Sequence, residues 1–177
     1  MLGIIGLVVL ALVVIFVIFI STRPSSFKYE RSDLINASAD KIFPYLINFK
    51  LAGQWSPYEQ MDPKMKKNYG SVDGQVGSWM SFDGNKDAGT GNLEILQIVP
   101  NESVQIKLQM LKPFEANNLV EYKLTPEGSG TRFTWTMSGQ NQFLGKMITV
   151  FIDCDKMLGD QFLKGISNLK NIVENNK

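Results

Sequence analysis

From Leu2 to Ile20 every position except Gly3 and Gly6 is hydrophobic. At 1.5 Å rise per residue such a run makes a helix roughly 28 Å long, close to the thickness of a bilayer's hydrocarbon core. It is longer than the apolar part of a signal peptide, no Lys or Arg precedes it, and Ile20-Ser21-Thr22-Arg23 carries no A-x-A cleavage pattern. The pattern predicts an uncut transmembrane anchor over residues 1–21, a short polar linker over 22–26 and a folded domain over 27–177. Arg23, Lys28 and Arg31 follow the span and none precedes it. The positive-inside rule therefore places the domain in the cytoplasm of a single-pass protein, the alternative being the outer face.

Beyond the linker the hydrophobic positions change period. Phe27 to Ile35 reads as a strand with Phe27, Tyr29 and Ile35 on one side, although Arg31 and Asp33 share that side. Asn36 or Ser38 can cap a helix whose stripe is Ile42, Phe43, Leu46 and Ile47, with Asp40 in its first turn and Pro44 inside it as a kink signal. A second short helix over Phe49 to Trp55 is stopped by Ser56-Pro57.

From Lys64 to Ser138 the period is two. Val104, Ile106, Leu108 and Met110 alternate against Gln105, Lys107 and Gln109, and Phe133, Trp135 and Met137 alternate against Arg132, Thr134, Thr136 and Ser138. Val120, Tyr122 and Leu124 repeat the pattern. Turn signals at Asp73-Gly74, Asp83-Gly84-Asn85, Pro100-Asn101 and Glu127-Gly128-Ser129-Gly130 fit hairpins in an antiparallel sheet of about six further strands.

From Asp155 to Glu174 the period returns to helical, with Leu158, Phe162, Ile166, Leu169, Ile172 and Val173 on one face. Gly159 and Gly165 weaken this helix locally but let its backbone come close to the sheet. The expected fold is α+β: a curved antiparallel sheet wrapped around a long C-terminal helix, leaving a space that is either filled or a pocket.

Composition narrows the chemistry. The 177 residues include no histidine and one cysteine, and the net charge is +1. A histidine base, a Ser-His-Asp or Cys-His pair, an imidazole-held metal, an internal disulfide and a CxxC pair are all excluded. The near-neutral balance lacks the basic footprint of a nucleic-acid binder. All 18 Lys and Arg and all 17 Asp and Glu lie after the apolar run, so the rest of the chain has an ordinary soluble composition.

The joint order of several local patterns resembles the START-like, or SRPBCC, superfamily in its polyketide cyclase/dehydrase-like branch, over nearly all of residues 27–175. These patterns are Arg31-Ser32 through Ile35-Asn36-Ala37, Asp40-Lys41-Ile42-Phe43-Pro44-Tyr45-Leu46, Trp55-Ser56-Pro57 and Gly77-Ser78-Trp79. Gly130-Thr131 leading to Thr134-Trp135-Thr136-Met137, and Gly165 to Leu169-Lys170 with Glu174, complete them. The resemblance implies a helix-grip fold enclosing an apolar cavity for lipids, sterols, polyketides or other hydrophobic molecules. It leaves open whether the chain binds, transfers or reacts them, because fold does not determine chemistry.

Strand alternation points Trp79, Met110, Tyr122, Trp135 and Met137 toward the covered face, as core or as cavity wall. Phe162 and Ile166 meet that face from the terminal helix. Trp55, Tyr58 and Met61 fall where the resemblance places the cavity mouth. The expected ligand-binding set is therefore Trp55, Tyr58, Trp79, Met110, Tyr122, Trp135, Met137, Phe162 and Ile166, with no catalytic residue, cofactor or metal assigned. Seven methionines after Met1 suit an adaptable apolar site.

Catalytic candidates are few. Glu94 and Tyr122 are the available acid/base groups, with the facing of Glu94 left open by the mixed run Leu93-Glu94-Ile95-Leu96. Asp153 and Asp155 flank a helix start and Asp160 follows, a structural placement, and the acidic neighbours of Cys154 oppose a thiolate. Arg132 falls in the solvent phase. Gly139 to Gly145-Lys146 fails the spacing of a phosphate loop, and Gly89-Thr90-Gly91 opens a strand rather than a helix. The leading expectation is membrane-anchored binding, or transport, of a hydrophobic small molecule or lipid. The alternatives are a cyclase- or dehydrase-like enzyme and an interaction module with a filled interior.

Overall fold

The computed structural model describes residues 2–70 and 72–175. An apolar helix, α1 (Leu2–Ser21), leads into the first strand, β1 (Ser26–Ile35). Three short helices follow: α2 (Ala39–Ile47), α3 (Phe49–Trp55) and α4 (Pro57–Met61). Six strands come next: β2 (Lys66–Tyr69), β3 (Trp79–Asp83), β4 (Thr90–Val99), β5 (Ser103–Lys112), β6 (Ala116–Glu127) and β7 (Gly130–Gln140). The chain closes with α5 (Phe143–Phe151) and α6 (Cys154–Asn175). All seven strands form one antiparallel sheet in the order β1-β7-β6-β5-β4-β3-β2. This is the α+β sheet-and-helix architecture that the hydrophobic pattern predicts, and the helix-grip fold that the resemblance implies.

Ser38 stands at the N-cap of α2 without a side-chain hydrogen bond, and Pro44 is accommodated inside the helix. The missing proline amide forgoes only one bond within a nine-residue helix. Asn48 separates α2 from α3 in an extended conformation, and its side chain accepts the Lys50 amide. Ser56 serves as C-cap of α3 and N-cap of α4, with Pro57 as the first residue of α4. Proline's fixed φ suits a first helical position, so Pro57 starts a helix as well as ending one.

The charged residues on the inner side of β1 find partners on α6. Arg31 makes a bidentate pair with the Asp155 carboxylate at 3.1 and 2.9 Å, and Lys170 reaches Asp33 at 3.3 Å. Gly159 makes the first pairing possible, because a Cβ there would fall 2.2 Å from the Arg31 guanidinium. The close approach expected of Gly165 is equally tight: its Cβ would stand 2.7 Å from Trp135 Cζ3. Phe162, Ile166, Leu169 and Val173 of α6 are buried with Ile35, Leu124 and Phe133 of the sheet.

In β4 a bulge between Ile95 and Gln97 resets the alternation. Leu93 and Ile95 face inward on one side of it and Ile98, paired with Val104, on the other. This accounts for the mixed run that sequence alternation could not phase.

Candidate ligand cavity

The sheet, the N-terminal half of α6, α2 to α5 and the turn after β5 enclose a cavity of about 950 Å³. Apolar side chains dominate its walls, and its volume lies at the upper end of small-molecule sites, which run from ~300 to ~1,000 Å³. The interior is therefore open space rather than a filled core.

One end of the cavity is an aromatic cluster. Trp135 of β7 stacks flat on Phe162 of α6, with ring centroids 4.6 Å apart at 10°. Trp55 meets Trp135 edge-on at 5.4 Å, and Tyr122 of β6 meets Trp135 at 5.3 Å and Trp55 at 5.7 Å. Tyr58 of α4 adds a further edge contact to Trp135 at 6.3 Å. The corner between α3 and α4 is held in place from α6, where the Asn168 side-chain amide donates to Trp55 O and to Gln60 Oε1. The Trp55 indole N–H donates to Tyr45 O at 3.1 Å. Nε1 of Trp135 is buried without a partner.

Burial pushes the Tyr58 and Tyr122 phenols well above their ordinary range, and for Tyr122 the nearby Tyr58 and Glu59 act in the same direction. Both hydroxyls are neutral at physiological pH. They offer a ligand hydrogen bonds and no phenolate base.

Glu59 is the carboxylate that sequence reading missed. It lies on α4, is buried, lines the cavity and pairs through Oε2 with Lys67 of β2, while Oε1 has no partner. The signal was available in Ser56-Pro57-Tyr58-Glu59, where a cap residue, proline at the first helical position and an acid two residues later announce a helix.

Of the nine residues expected at the site, Trp55, Tyr58, Met110, Tyr122, Trp135, Met137 and Phe162 line this cavity. Trp79 does not. In β3 it is Met80 and Phe82 that face inward, so Trp79, 45% exposed, lies on the outer face against Gly70, where no side chain intervenes. Ile166 is core beneath the cavity, 1% exposed, one helical turn beyond the lining residue Phe162. Glu94 is also on the outer face, paired across the strands with Trp79 and Lys107, which removes it as an acid/base group for the cavity.

The remaining polar candidates are structural. Asp155 is held by Arg31, Asp160 by Lys156, and Asp153 accepts the Lys156 amide. Burial, then Asp153, raises the Cys154 thiol. Arg132 is engaged by Glu127 on the solvent side. Gly139 belongs to β7 and Gly145 to α5, so no phosphate loop forms. Among the described residues no cluster of metal-ligating side chains occurs.

A curved sheet gripping a long helix around an apolar cavity defines a helix-grip protein of the START-like class. The family model described as activator of Hsp90 ATPase homolog 1-like protein matches residues 36–150. The chain belongs to that family, within the SRPBCC superfamily that its sequence resembles. Solved structures agree on the fold. Protein MLL2253 from Mesorhizobium loti is 16% identical, with 85% of this chain and 99% of that chain covered at a TM-score of 0.63. The Aha1 dimer from Colwellia psychrerythraea is 19% identical, with 85% and 98% covered at 0.58. DynU16, from the dynemicin biosynthetic locus, is 14% identical, with 85% of this chain and 48% of that chain covered at 0.59. Comparison with curated proteins found no match.

Proposed function

We propose that this chain binds a hydrophobic small molecule or lipid in the cavity while α1 anchors it to a membrane. The observation that carries the reading is the open apolar cavity itself. A domain that needed only a scaffold would gain stability by filling such a space, since every unfilled methyl-sized void costs about 1 kcal/mol. Gly3–Ser21 is long and apolar enough to cross a bilayer, a property that a signal sequence shares. Almost all of its surface lies outside the fold, since only 6% of the span is buried. The basic residues after it support a cytoplasmic domain.

The ligand chemistry follows from the walls. Tyr58, Tyr122, the free Glu59 oxygen and the unpartnered Trp135 Nε1 are polar features within a largely apolar lining, so the fitting ligand is mostly hydrocarbon or aromatic with a few hydrogen-bonding groups. Ligand contacts are assigned to Trp55, Tyr58, Met110, Tyr122, Trp135, Met137 and Phe162.

The test is native mass spectrometry of the full chain released from detergent micelles, beside a Leu108→Trp/Met110→Trp variant that crowds the cavity wall. Wild-type protein is expected to carry an apolar adduct of one ligand per chain, and the variant to lose it while remaining folded. Absence of any adduct after incubation with a total lipid extract would defeat the proposal.

A further inference from the structure

We propose that α5 and the corner after it are a membrane-docking element through which the cavity opens to the bilayer; this rests on the ligand-binding reading above. The sequence pattern does not single out α5, and its burial is unlike that of α2, α3 or α6. None of its residues is buried, although six of its nine are apolar. Leu144 and Ile148 line the cavity, Leu144 remaining 54% exposed, and Phe143 and Phe151 stand 44% and 73% exposed, with Ile152 just beyond at 47%. Its apolar residues, Phe143, Leu144, Met147, Ile148, Val150 and Phe151, form one wide arc opposite Gly145, Lys146 and Thr149, the pattern of a helix that lies in a membrane interface. The cavity accounts for one edge of that arc, and apart from the contact with α1 no described part of the fold covers the rest.

The position of α5 beside α1 selects lipid as the cover. Lys146 Nζ donates to Ser21 O at the end of the candidate span, and Phe151 packs on Phe16 with centroids 6.5 Å apart. Phe16 and Ser21 are separated by about 7 to 8 Å along a helix axis. If α1 spans the bilayer, α5 therefore descends from the interface to the depth at which interfacial helices bury their apolar faces, ~5–10 Å. The charges at this corner are compatible with the boundary: Lys146 lies at its upper end, Asp155 is neutralised by Arg31, and Asp153 is engaged with the Lys156 amide. The turn after β5 lines the same cavity and carries Phe114, 52% exposed. An apolar ligand leaving the bilayer between this turn and α5 reaches the cavity without crossing water.

The experiment uses the full chain with Cys154→Ser and Phe151→Cys, labelled with an environment-sensitive fluorophore and reconstituted in phosphatidylcholine vesicles. Ser129→Cys in the same background is the reference; it lies on the turn before β7, about 33 Å of strand from the end of the sheet that adjoins α1. The label at position 151 is expected to be quenched by nitroxide-bearing lipids and shielded from aqueous iodide, and the label at 129 to show the reverse. Iodide quenching at 151 equal to that at 129, or shielding from both quenchers by a protein cover, overturns the docking.

The portal is tested with a brominated fatty acid as probe and tryptophan quenching as readout. Phe151→Asp should slow uptake from vesicles about tenfold or more, the effect of losing one buried aromatic contact with lipid, while leaving the affinity in micelles unchanged. An unchanged uptake rate overturns the portal. Failure of the wild type to bind the probe in micelles instead defeats the ligand reading and leaves the quenching result to decide docking by itself.

Discussion

Replacing Gly165 with alanine measures how closely α6 is pressed against the sheet. In an exposed helix interior the change would stabilise by about 0.8 to 1 kcal/mol, because glycine carries the larger backbone entropy cost. Here the new Cβ would stand 2.7 Å from Trp135 Cζ3 and 3.0 Å from Pro57 Cδ. Neither neighbour is the free end of a flexible chain. Trp135 is sandwiched by Phe162 and flanked by Trp55 and Tyr122, and Pro57 is fixed in the corner between α3 and α4. Overpacking of this kind costs roughly 1 to 3 kcal/mol. The propensity gain offsets only part of that, for a net loss of about 1 kcal/mol and a fall in Tm of about 2 to 4 °C for a domain of this size. Gly145→Ala in α5 is the control, since the nearest atom to its Cβ would be Asn141 Oδ1 at 2.9 Å, the end of a side chain that can turn away. Thermal unfolding of the full chain in micelles checks both. A Gly165→Ala variant as stable as wild type, or more so, would refute the tight contact between helix and sheet on which the cavity's floor depends.

Lys67→Ala leaves Glu59 charged and buried without its partner, and is expected to cost about 3 kcal/mol; the joint change Glu59→Gln/Lys67→Met should recover most of that, as a double-mutant cycle in urea would show. The raised phenols of Tyr58 and Tyr122 predict stability that is level below about pH 10, the ordinary tyrosine value, and falls as the pH rises beyond it, because the unfolded chain ionises first. Alkaline unfolding checks this, with Tyr122→Phe expected to flatten the decline. Tyr122→Phe should also leave binding of a pure hydrocarbon unchanged while weakening that of a ligand bearing one polar group, by roughly 0.5 to 1.5 kcal/mol in a calorimetric titration.

Much of the architecture was legible because it rests on repeating burial. Val104 to Met110 and Phe133 to Met137 announce half-buried strands, and Phe162 to Val173 announces the gripping helix. Legibility failed where a local feature broke the period. The bulge in β4 reverses the phase between Ile95 and Ile98, so no alternation rule could place Glu94. Trp79 is the first residue of a five-residue strand, too short for its hydrophobic size to fix its side, and Met80 and Phe82 take the inner face. α4 and Glu59 were hidden because Pro57 was read only as a stop. α5 has a one-sided apolar arc, but Gln142 makes no side-chain cap and its first turn holds no acidic residue, so nothing announces a helix start there.

The central claim is that the apolar cavity holds a ligand, and two of the three tryptophans report on it directly. Trp55 and Trp135 line the cavity, whereas Trp79 lies on the outer face. Titrating the full chain in micelles with a brominated fatty acid should quench part of the tryptophan emission saturably at one ligand per chain. Trp79→Phe should then remove the unquenched remainder, leaving emission that is almost wholly quenchable. Quenching that never saturates, or that disappears with Trp79→Phe, would contradict the account.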